Sequence, residues 1–265
     1  MIQRTVPATG EQLPAVGLGS YQTFDTDDVA AVQPVMDRFL ALGGRVIDSS
    51  PMYGKAEAAI GKMLAGAKTR PFLATKVWTR GKADGVAQME RSLQRMGTKR
   101  MDLMQIHNLV DWKTHLATLR AWKSEGRIRY LGITHYGHSS FDEMEQIIAK
   151  EKIDFVQLPY NVYDRAAETR LLPAAQKHGV AVIVMEPFAS GALFGKVKGK
   201  PLPKVAAELG CTSWAQLALK FLLGHPAVTC PIPATSKVKH VEDNLGAMHG
   251  PLPDDKQRAA IVAAL

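Results

Sequence analysis

The sequence predicts an α/β protein of the (β/α)8 class, a TIM barrel, and two observations indicate this fold. Eight short apolar segments alternate with eight helical segments along a chain of 265 residues. This number of units in this length is typical of an eight-stranded barrel. With 46% hydrophobic residues, the chain can bury a core of that size. We therefore predict a single barrel domain over residues 1–265.

The predicted elements follow one another in order along the chain. Strands, recognised by short runs of β-branched and other apolar residues, are predicted at residues 14–19, 45–48, 72–76, 101–107, 128–134, 155–158, 180–186 and 228–232. Eight helices, recognised by amphipathic or Ala- and Leu-rich patterns, are predicted at residues 28–42, 56–65, 84–96, 113–125, 140–150, 165–178, 213–223 and 238–248. A further, terminal helical segment is predicted at residues 254–265.

Two segments lie outside this alternation. Residues 1–13 predict a short β-hairpin with its turn at Ala8–Gly10. Because the hairpin leads directly into the first strand, we expect it to close the barrel floor, which is the end where the strands begin. Residues 191–204 are rich in Gly, Lys and Pro and predict a loop after the seventh strand.

A doubly wound open sheet would show the same alternation of strands and helices. Its dinucleotide-binding fingerprint has three spaced glycines after the first strand, at the start of a helix. The nearest match here is GLGS at residues 17–20, which lacks the third glycine and the helix. The barrel is therefore the favoured prediction.

Composition limits the classes of partner. The formal net charge of +8 favours an anionic partner, such as nucleic acid, a membrane surface or a phosphorylated cofactor. Lys and Arg are spread along the chain without the interleaved aromatic residues of a single-strand binding surface, so we expect no nucleic acid. The sequence has neither a run of about 18 apolar residues nor an apolar signal core, which predicts a cytoplasmic protein without a membrane partner. Cys211 and Cys230 have no metal-ligand spacing and are too few for a disulfide framework, so we expect no metal.

Ionisable residues end three consecutive predicted strands. The second strand ends on Asp48 and has Tyr53 in the loop that follows, the third ends on Lys76 and the fourth on His107. Each residue alone also has an ordinary structural explanation, as a turn cap, a solvent-facing cation or a hydrogen-bonded wall residue. A barrel builds its active site at the carboxyl ends of its strands, so four complementary groups at adjacent strand ends favour a site.

These four side chains suggest proton-transfer chemistry. A tyrosine is a poor acid at neutral pH, but a nearby ammonium stabilises the phenolate and lowers the pKa of the phenol. Asp48 would keep Lys76 charged and oriented, and His107 would hydrogen-bond the oxygen that accepts the proton from Tyr53. None of the four residues supplies electrons, so a reduction would need a hydride-carrying cofactor.

Seven stretches of the sequence resemble the aldo-keto reductases, over nearly the whole chain. They are LPAVGLGSYQ, VIDSSPMYGKAEAAIGKML, FLATKVW, MDLMQIHN, IRYLGIT, FVQLPYN and IPATSKVKHVEDNLGA. The Asp, Tyr, Lys and His tetrad of that family falls on Asp48, Tyr53, Lys76 and His107. The resemblance implies a monomeric NADPH-dependent oxidoreductase that reduces small aldehydes or ketones, with Tyr53 as the proton donor.

The resemblance also implies where NADPH binds. Thr134 and His135 stand where the family has a Ser–Asn pair on the carboxamide, and Gln157 matches its second amide contact. Met185 stands where many members stack an aromatic ring on the nicotinamide, with Phe188 as the alternative. The remaining positions contact the phosphates and the adenosine: Pro187, Ser190, Leu193, Ile232, Thr235, Ser236, Lys237, His240, Asp243 and Asn244.

Two departures from the family pattern concern the 2′-phosphate of NADPH. Many members have a lysine after the Ile-Pro of the last motif and an arginine six residues later, where this chain has Ala234 and His240. We expect Thr235, Ser236, Lys237, Lys239 and the first amides of the following helix to bind the phosphate instead. The substrate pocket is expected to be lined by three aromatic side chains, Tyr21, Trp78 and Trp112. Their surfaces suit flat or apolar aldehydes.

Two other functions fit parts of the same pattern. A barrel aldolase would use Lys76 to form a Schiff base with its substrate. A non-catalytic regulatory subunit would bind NADPH without oxidising it. The complete tetrad favours the reductase over both.

Overall fold

A computed structural model describes residues 1–265 and shows an eight-stranded parallel sheet with helices around it. A two-stranded antiparallel hairpin, β1 (Gln3–Thr5) and β2 (Gln12–Pro14), precedes the sheet. The eight strands of the sheet, each paired with the next in chain order, are β3 (Leu18–Gly19), β4 (Val46–Asp48), β5 (Phe72–Val77), β6 (Met101–His107), β7 (Ile128–Thr134), β8 (Phe155–Pro159), β9 (Ala181–Met185) and β10 (Val228–Pro231).

Eleven α-helices lie outside this sheet. They are α1 (Val29–Ala41), α2 (Ala56–Leu64), α3 (Lys82–Arg95), α4 (Trp112–Ser124), α5 (Phe141–Lys150), α6 (Leu171–His178), α7 (Ala192–Lys196), α8 (Lys204–Glu208), α9 (Trp214–Leu223), α10 (Val238–Gly246) and α11 (Asp255–Ala263). Helix α5 shows why they pack there, since Phe141, Met144, Ile147 and Ile148 recur at helical spacing and are all buried. None of the helices is long and apolar enough to span a bilayer.

The first and last strands meet and close the sheet into a barrel. The amide of Gly17 donates to Pro231 O at 2.9 Å, and that of Gly19 donates to Pro233 O at 3.2 Å. A Cβ atom at Gly19 would lie only 2.7 Å from Ile232 O, so this close approach requires glycine. The predicted (β/α)8 fold is confirmed.

The hairpin covers the barrel floor, as the sequence predicts. Val6 and Leu13 are buried among the inward-facing apolar residues at the start of the strands, including Val46 and Phe72. Glu11, beside the hairpin turn, accepts a hydrogen bond from Tyr130 Oη on β7 at 2.5 Å. The hairpin is thus bound to the barrel by apolar packing and by a polar contact.

Three predicted boundaries are wrong. Pro14 pairs with Gln3 in the hairpin, so the first barrel strand is only Leu18–Gly19. The predicted helix 165–178 is interrupted at Arg170, whose φ of −137° is not helical, and a 3₁₀ turn precedes α6. The predicted loop 191–204 contains α7 and the first residue of α8.

Candidate active site

The barrel interior changes from apolar to polar along its strands. At the floor it is filled by Val46, Phe72, Leu103, Tyr130 and Phe155 together with other apolar side chains. Toward the mouth, which is the end where the strands stop, the buried residues are polar: Asp48, Lys76, Gln105, His107, Thr134 and Gln157. Five neighbouring strands, β4 to β8, therefore bring polar groups to the same end of the barrel, where the loops converge.

Lys76 and Asp48 form an ion pair without contact with solvent. Lys76 Nζ donates to Asp48 Oδ2 at 2.6 Å and to the backbone oxygen of Ser49 at 2.7 Å. Burial disfavours the ammonium, but the Asp48 carboxylate and the neighbouring Tyr53 outweigh it and raise the pKa of Lys76. Lys76 is therefore charged and has one N–H donor left.

Two amide side chains hold the other oxygen of Asp48. Gln105 Nε2 and Gln157 Nε2 each donate to Asp48 Oδ1 at 3.0 Å. Gln105 is not among the residues that the sequence pattern predicts for the site. It has a local signal, since it is an uncharged polar residue inside the otherwise buried strand MDLMQIH, in register with Lys76.

Tyr53 lies at the mouth beside the ion pair. Lys76 Nζ is 5.1 Å from the centroid of the Tyr53 ring, and the rings of Tyr21 and His107 are 5.0 and 5.9 Å from it. The expectation that the pKa of Tyr53 lies below its ordinary value is wrong for this structure. Burial raises the pKa of Tyr53, and the opposing effect of Lys76 does not compensate for it. The phenol is therefore protonated at neutral pH.

His107 is neutral and oriented by a serine. Its Nδ1 atom is 2.9 Å from Ser50 Oγ, which also accepts a hydrogen bond from the Met52 amide. Burial, the charge of Lys76 and, to a smaller extent, His135 lower the pKa of His107 to about 3. If the Ser50 hydroxyl donates to Nδ1, the single proton of the neutral ring lies on Nε2.

Thr134, His135 and Gln157 lie together at the ends of β7 and β8. Thr134 Oγ1 is 3.4 Å from Gln157 Oε1, and the two residues are paired in the sheet. His135 Nδ1 accepts a hydrogen bond from the Gly137 amide, which leaves Nε2 as its donor. Its ring stacks on Tyr136, with 11° between the ring planes.

The segment after β9 has an unusual backbone. Glu186, Ala189 and Ser190 adopt positive φ angles of 54°, 51° and 52°, which non-glycine residues rarely do. Pro187 and Leu193 are buried there, Met185 and Phe188 are half-buried, and Ser190 is exposed. Strain of this kind is concentrated at ligand-binding loops.

The last motif brings hydroxyl groups and cations to the start of α10. Thr235 Oγ1 accepts the Lys237 amide and lies 3.2 Å from His240 Nδ1, whose pKa is lowered by burial and by Lys237 and Lys239. Ser236, Lys237 and His240 are exposed, and Ala234 has no polar side chain. The other members of the motif are placed as follows: Ile232 and Asn244 are buried, and Asp243 accepts a hydrogen bond from Gln216.

Two of the three predicted wall residues lie close to the tetrad. Tyr21 contacts the Tyr53 ring, and the Trp78 ring is 6.3 Å from that of His107. Both side chains are substantially exposed. Trp112 differs, because its indole N–H donates to Glu143 on α5 at 2.7 Å and makes no ring contact with the tetrad.

Comparison with known proteins now places the chain in a family. The sequence model that describes the aldo/keto reductase family matches residues 15–264 of this chain. The chain belongs to the aldo/keto reductase family. The match covers all eight barrel strands and every residue of the site described above.

Several aldo/keto reductases are similar over nearly their whole length. A methylglyoxal reductase of Escherichia coli is 27% identical over 257 residues, covering 94% of this chain and 90% of the relative. The solved structure of an aldo-keto reductase from Klebsiella pneumoniae in complex with NADPH has a TM-score of 0.84 at 25% identity, covering 98% of this chain and 94% of the other. The holo form of an aldo-keto reductase from Bacillus halodurans has a TM-score of 0.83 at 25% identity, covering 100% of this chain and 96% of the other.

Proposed function

We propose that this aldo/keto reductase transfers a hydride from NADPH to the carbonyl carbon of small aldehydes or ketones, with Tyr53 as the proton donor. The observation that carries the proposal is the arrangement at the mouth. A buried, charged lysine with one N–H donor left lies beside a protonated phenol, and a neutral imidazole also lies next to that phenol.

The residues around the tetrad fit this cofactor. The Thr134 hydroxyl and the His135 Nε2–H group are suited to a carboxamide, which needs both donors and acceptors. The start of α10 offers free amides and the ammonium groups of Lys237 and Lys239, which suit phosphates. When bound, NADPH supplies the hydride that none of the tetrad residues can supply.

Tyr53 and His107 would bind the carbonyl oxygen together. The Tyr53 hydroxyl and the His107 Nε2–H group both donate to that oxygen, which polarises the carbonyl and fixes its position. As negative charge develops on the oxygen, Tyr53 transfers its proton to it. Since His107 is neutral, it donates a hydrogen bond without competing as a proton source.

Lys76 and Asp48 would then stabilise the phenolate that Tyr53 becomes after the proton transfer. After the transfer, Tyr53 is a phenolate, and the adjacent ammonium of Lys76 compensates the new negative charge. Asp48 keeps Lys76 charged where burial alone would favour the neutral amine. The same fact argues against the aldolase alternative, because a Schiff base forms from a neutral lysine.

The rim of the mouth supports small, apolar or flat substrates. Tyr21, Met52 and Trp78 follow three neighbouring strands and are all exposed. They offer apolar surface around the polar tetrad, as expected of a small-molecule site. The methylglyoxal reductase of Escherichia coli extends the proposal to dicarbonyl compounds.

A substrate panel tests this function. The purified protein is mixed with NADPH and aromatic aldehydes, aliphatic aldehydes, ketones or dicarbonyl compounds, and NADPH consumption is followed by absorbance. We expect turnover of several substrates, and turnover slower by roughly 10² to 10⁴-fold with the Tyr53→Phe variant. Tight NADPH binding without oxidation by any carbonyl would contradict the proposal and support the non-catalytic alternative.

A further inference from the structure

Gln105 lies on β6, level with Lys76 of the neighbouring strand, and makes a single side-chain hydrogen bond. It is completely buried, and its Nε2 atom donates to Asp48 Oδ1 at 3.0 Å. Its Oε1 atom is also buried and has no hydrogen-bond partner. The reverse orientation of the amide would direct an oxygen at the carboxylate, so the N–H group faces Asp48.

Gln157 also donates to Asp48 but differs from Gln105 in its other contact. The Oε1 atom of Gln157 is 3.4 Å from the Thr134 hydroxyl, which lies on the side of the mouth where the cofactor would bind. Gln157 is therefore shared between Asp48 and that side. The only hydrogen-bond partner of the Gln105 side chain is Asp48.

A buried carboxylate needs a partner for each oxygen. Lys76 binds Oδ2 of Asp48, and the two glutamines bind Oδ1. Without Gln105, more of the negative charge of Asp48 would be left to attract Lys76. The ammonium would then be less available to the phenolate of Tyr53.

We propose that Gln105 is a positioning residue. It holds the Asp48 carboxylate so that the Lys76 ammonium remains available to stabilise the phenolate of Tyr53. The inference rests on the proposed function of the tetrad. It does not require Gln105 to touch the substrate or the cofactor. It explains a glutamine whose carbonyl oxygen is left unpaired, an arrangement that is unfavourable for stability.

Gln105→Met tests the proposal, because methionine has nearly the same shape and no donor. We expect kcat to fall about tenfold to a hundredfold, the usual effect of losing a hydrogen bond to a charged group. KM and the dissociation constant of NADPH should stay within about threefold, because the substitution removes no expected ligand contact. Thermal stability should be unchanged or higher, because methionine also removes the unpaired oxygen.

The pH profile distinguishes positioning from packing. The kcat for reduction falls at the alkaline pH where Tyr53 loses its proton. If Lys76 stabilises the phenolate less, the pKa of Tyr53 rises and this alkaline limb of the pH profile should move to higher pH. Met104→Leu is the matched control, since Met104 directly precedes Gln105 on β6 and is buried on the opposite face of the strand. A folded Gln105→Met variant with wild-type kcat and an unshifted limb would overturn the proposal, as would the same changes in Met104→Leu.

Gln105→Glu provides a second variant of the same shape. Burial and the adjacent Asp48 both raise the pKa of a glutamate at this position, so the two carboxyl groups should share a proton at neutral pH. The protonated glutamate can donate to Asp48 as Gln105 does, so kcat should be closer to wild type than in Gln105→Met and should fall as the pH rises and the glutamate ionises. A kcat at neutral pH no higher than that of Gln105→Met would count against positioning.

A measurement without turnover separates this inference from the proposed function. The titration of Tyr53 is followed by ultraviolet difference spectroscopy, and Tyr53→Phe identifies its contribution. We expect Gln105→Met to raise the pKa of Tyr53 even if no carbonyl substrate is found. An unchanged titration would refute the role of Gln105, whereas a shifted titration without any NADPH oxidation would refute only the reductase function.

Discussion

The two halves of the barrel interior are built from the same strands and have opposite chemistry. Valine and aspartate stand two residues apart on β4, at Val46 and Asp48, and phenylalanine and glutamine stand two residues apart on β8, at Phe155 and Gln157. Successive inward-facing positions on a strand are two residues apart. On these two strands the interior thus passes from the apolar floor to the polar mouth in one such step.

This difference separates stability from chemistry. At the floor, burial of apolar surface stabilises the fold by roughly 25 cal/mol for each Å² removed from water. At the mouth, buried polar groups are costly unless they are paired, and the network around Asp48 pairs most of them. Substitutions at the floor should therefore affect folding, and substitutions at the mouth should affect catalysis.

The largest expected effect is at the mouth. Tyr53→Phe should lower kcat by roughly 10² to 10⁴-fold, because the proposed proton donor is lost while the ring remains. The free energy of unfolding and the affinity for NADPH should change little. Tyr21→Phe is a matched control, since Tyr21 contacts the Tyr53 ring but is exposed. Steady-state kinetics of both variants check the prediction, and wild-type turnover of Tyr53→Phe would disprove the assigned role.

A substitution at the floor should have the opposite signature. Phe155→Ala should lower the free energy of unfolding by about 3 to 5 kcal/mol, because it opens a cavity in a packed core. Phe155 is fully buried, and its ring is 5.2 Å from that of Tyr130 and 5.9 Å from that of Phe72. Urea unfolding measures the loss. Tyr136→Ala, at an exposed aromatic residue, should change stability by less than about 0.5 kcal/mol.

The preference for NADPH over NADH should be smaller. Hydroxyl groups, helix amides, Lys237 and Lys239 around the 2′-phosphate should give a preference of about 1 to 3 kcal/mol, although Ala234 and His240 replace the usual cations. The preference should shrink as salt is added, because the side chains of Ser236, Lys237 and Lys239 are exposed. Protein-fluorescence quenching at two salt concentrations gives both dissociation constants. Equal affinities at low salt would show that other groups do not compensate for Ala234 and His240.

The smallest expected effect is the pH dependence that His107 gives to the reaction. Because its pKa is about 3, His107 stays neutral between pH 8 and pH 5, and kcat at saturating NADPH should change by less than about twofold. Stability should respond in this range. The unfolded chain binds a proton on this residue near pH 6.5 and the folded chain only near 3, so the free energy of unfolding falls as the pH falls through this window.

Two measurements check this last prediction. Kinetics between pH 5 and pH 8 should show no acid limb near 6.5, and a tenfold fall there would contradict a neutral His107. Urea unfolding of wild type and His107→Gln over the same range should show a weaker pH dependence in the variant.

Local pattern in the sequence was sufficient for much of this protein. The alternation of apolar strands and amphipathic helices determined the barrel, because burial of one face imposes a fixed period on each element. The ends of the strands identified Asp48, Lys76 and His107, since a barrel directs all its strand ends to one mouth.

Only the tertiary structure decided how these groups act on one another. Gln105 and Gln157 are 57 and 109 positions from Asp48 in the chain, and no local pattern relates positions so distant. The pKa of Tyr53 is raised rather than lowered, because burial is a property of the assembled barrel. Charge attraction between Tyr53 and Lys76 was evident from residue types alone, whereas the desolvation that opposes it depends on every strand around them.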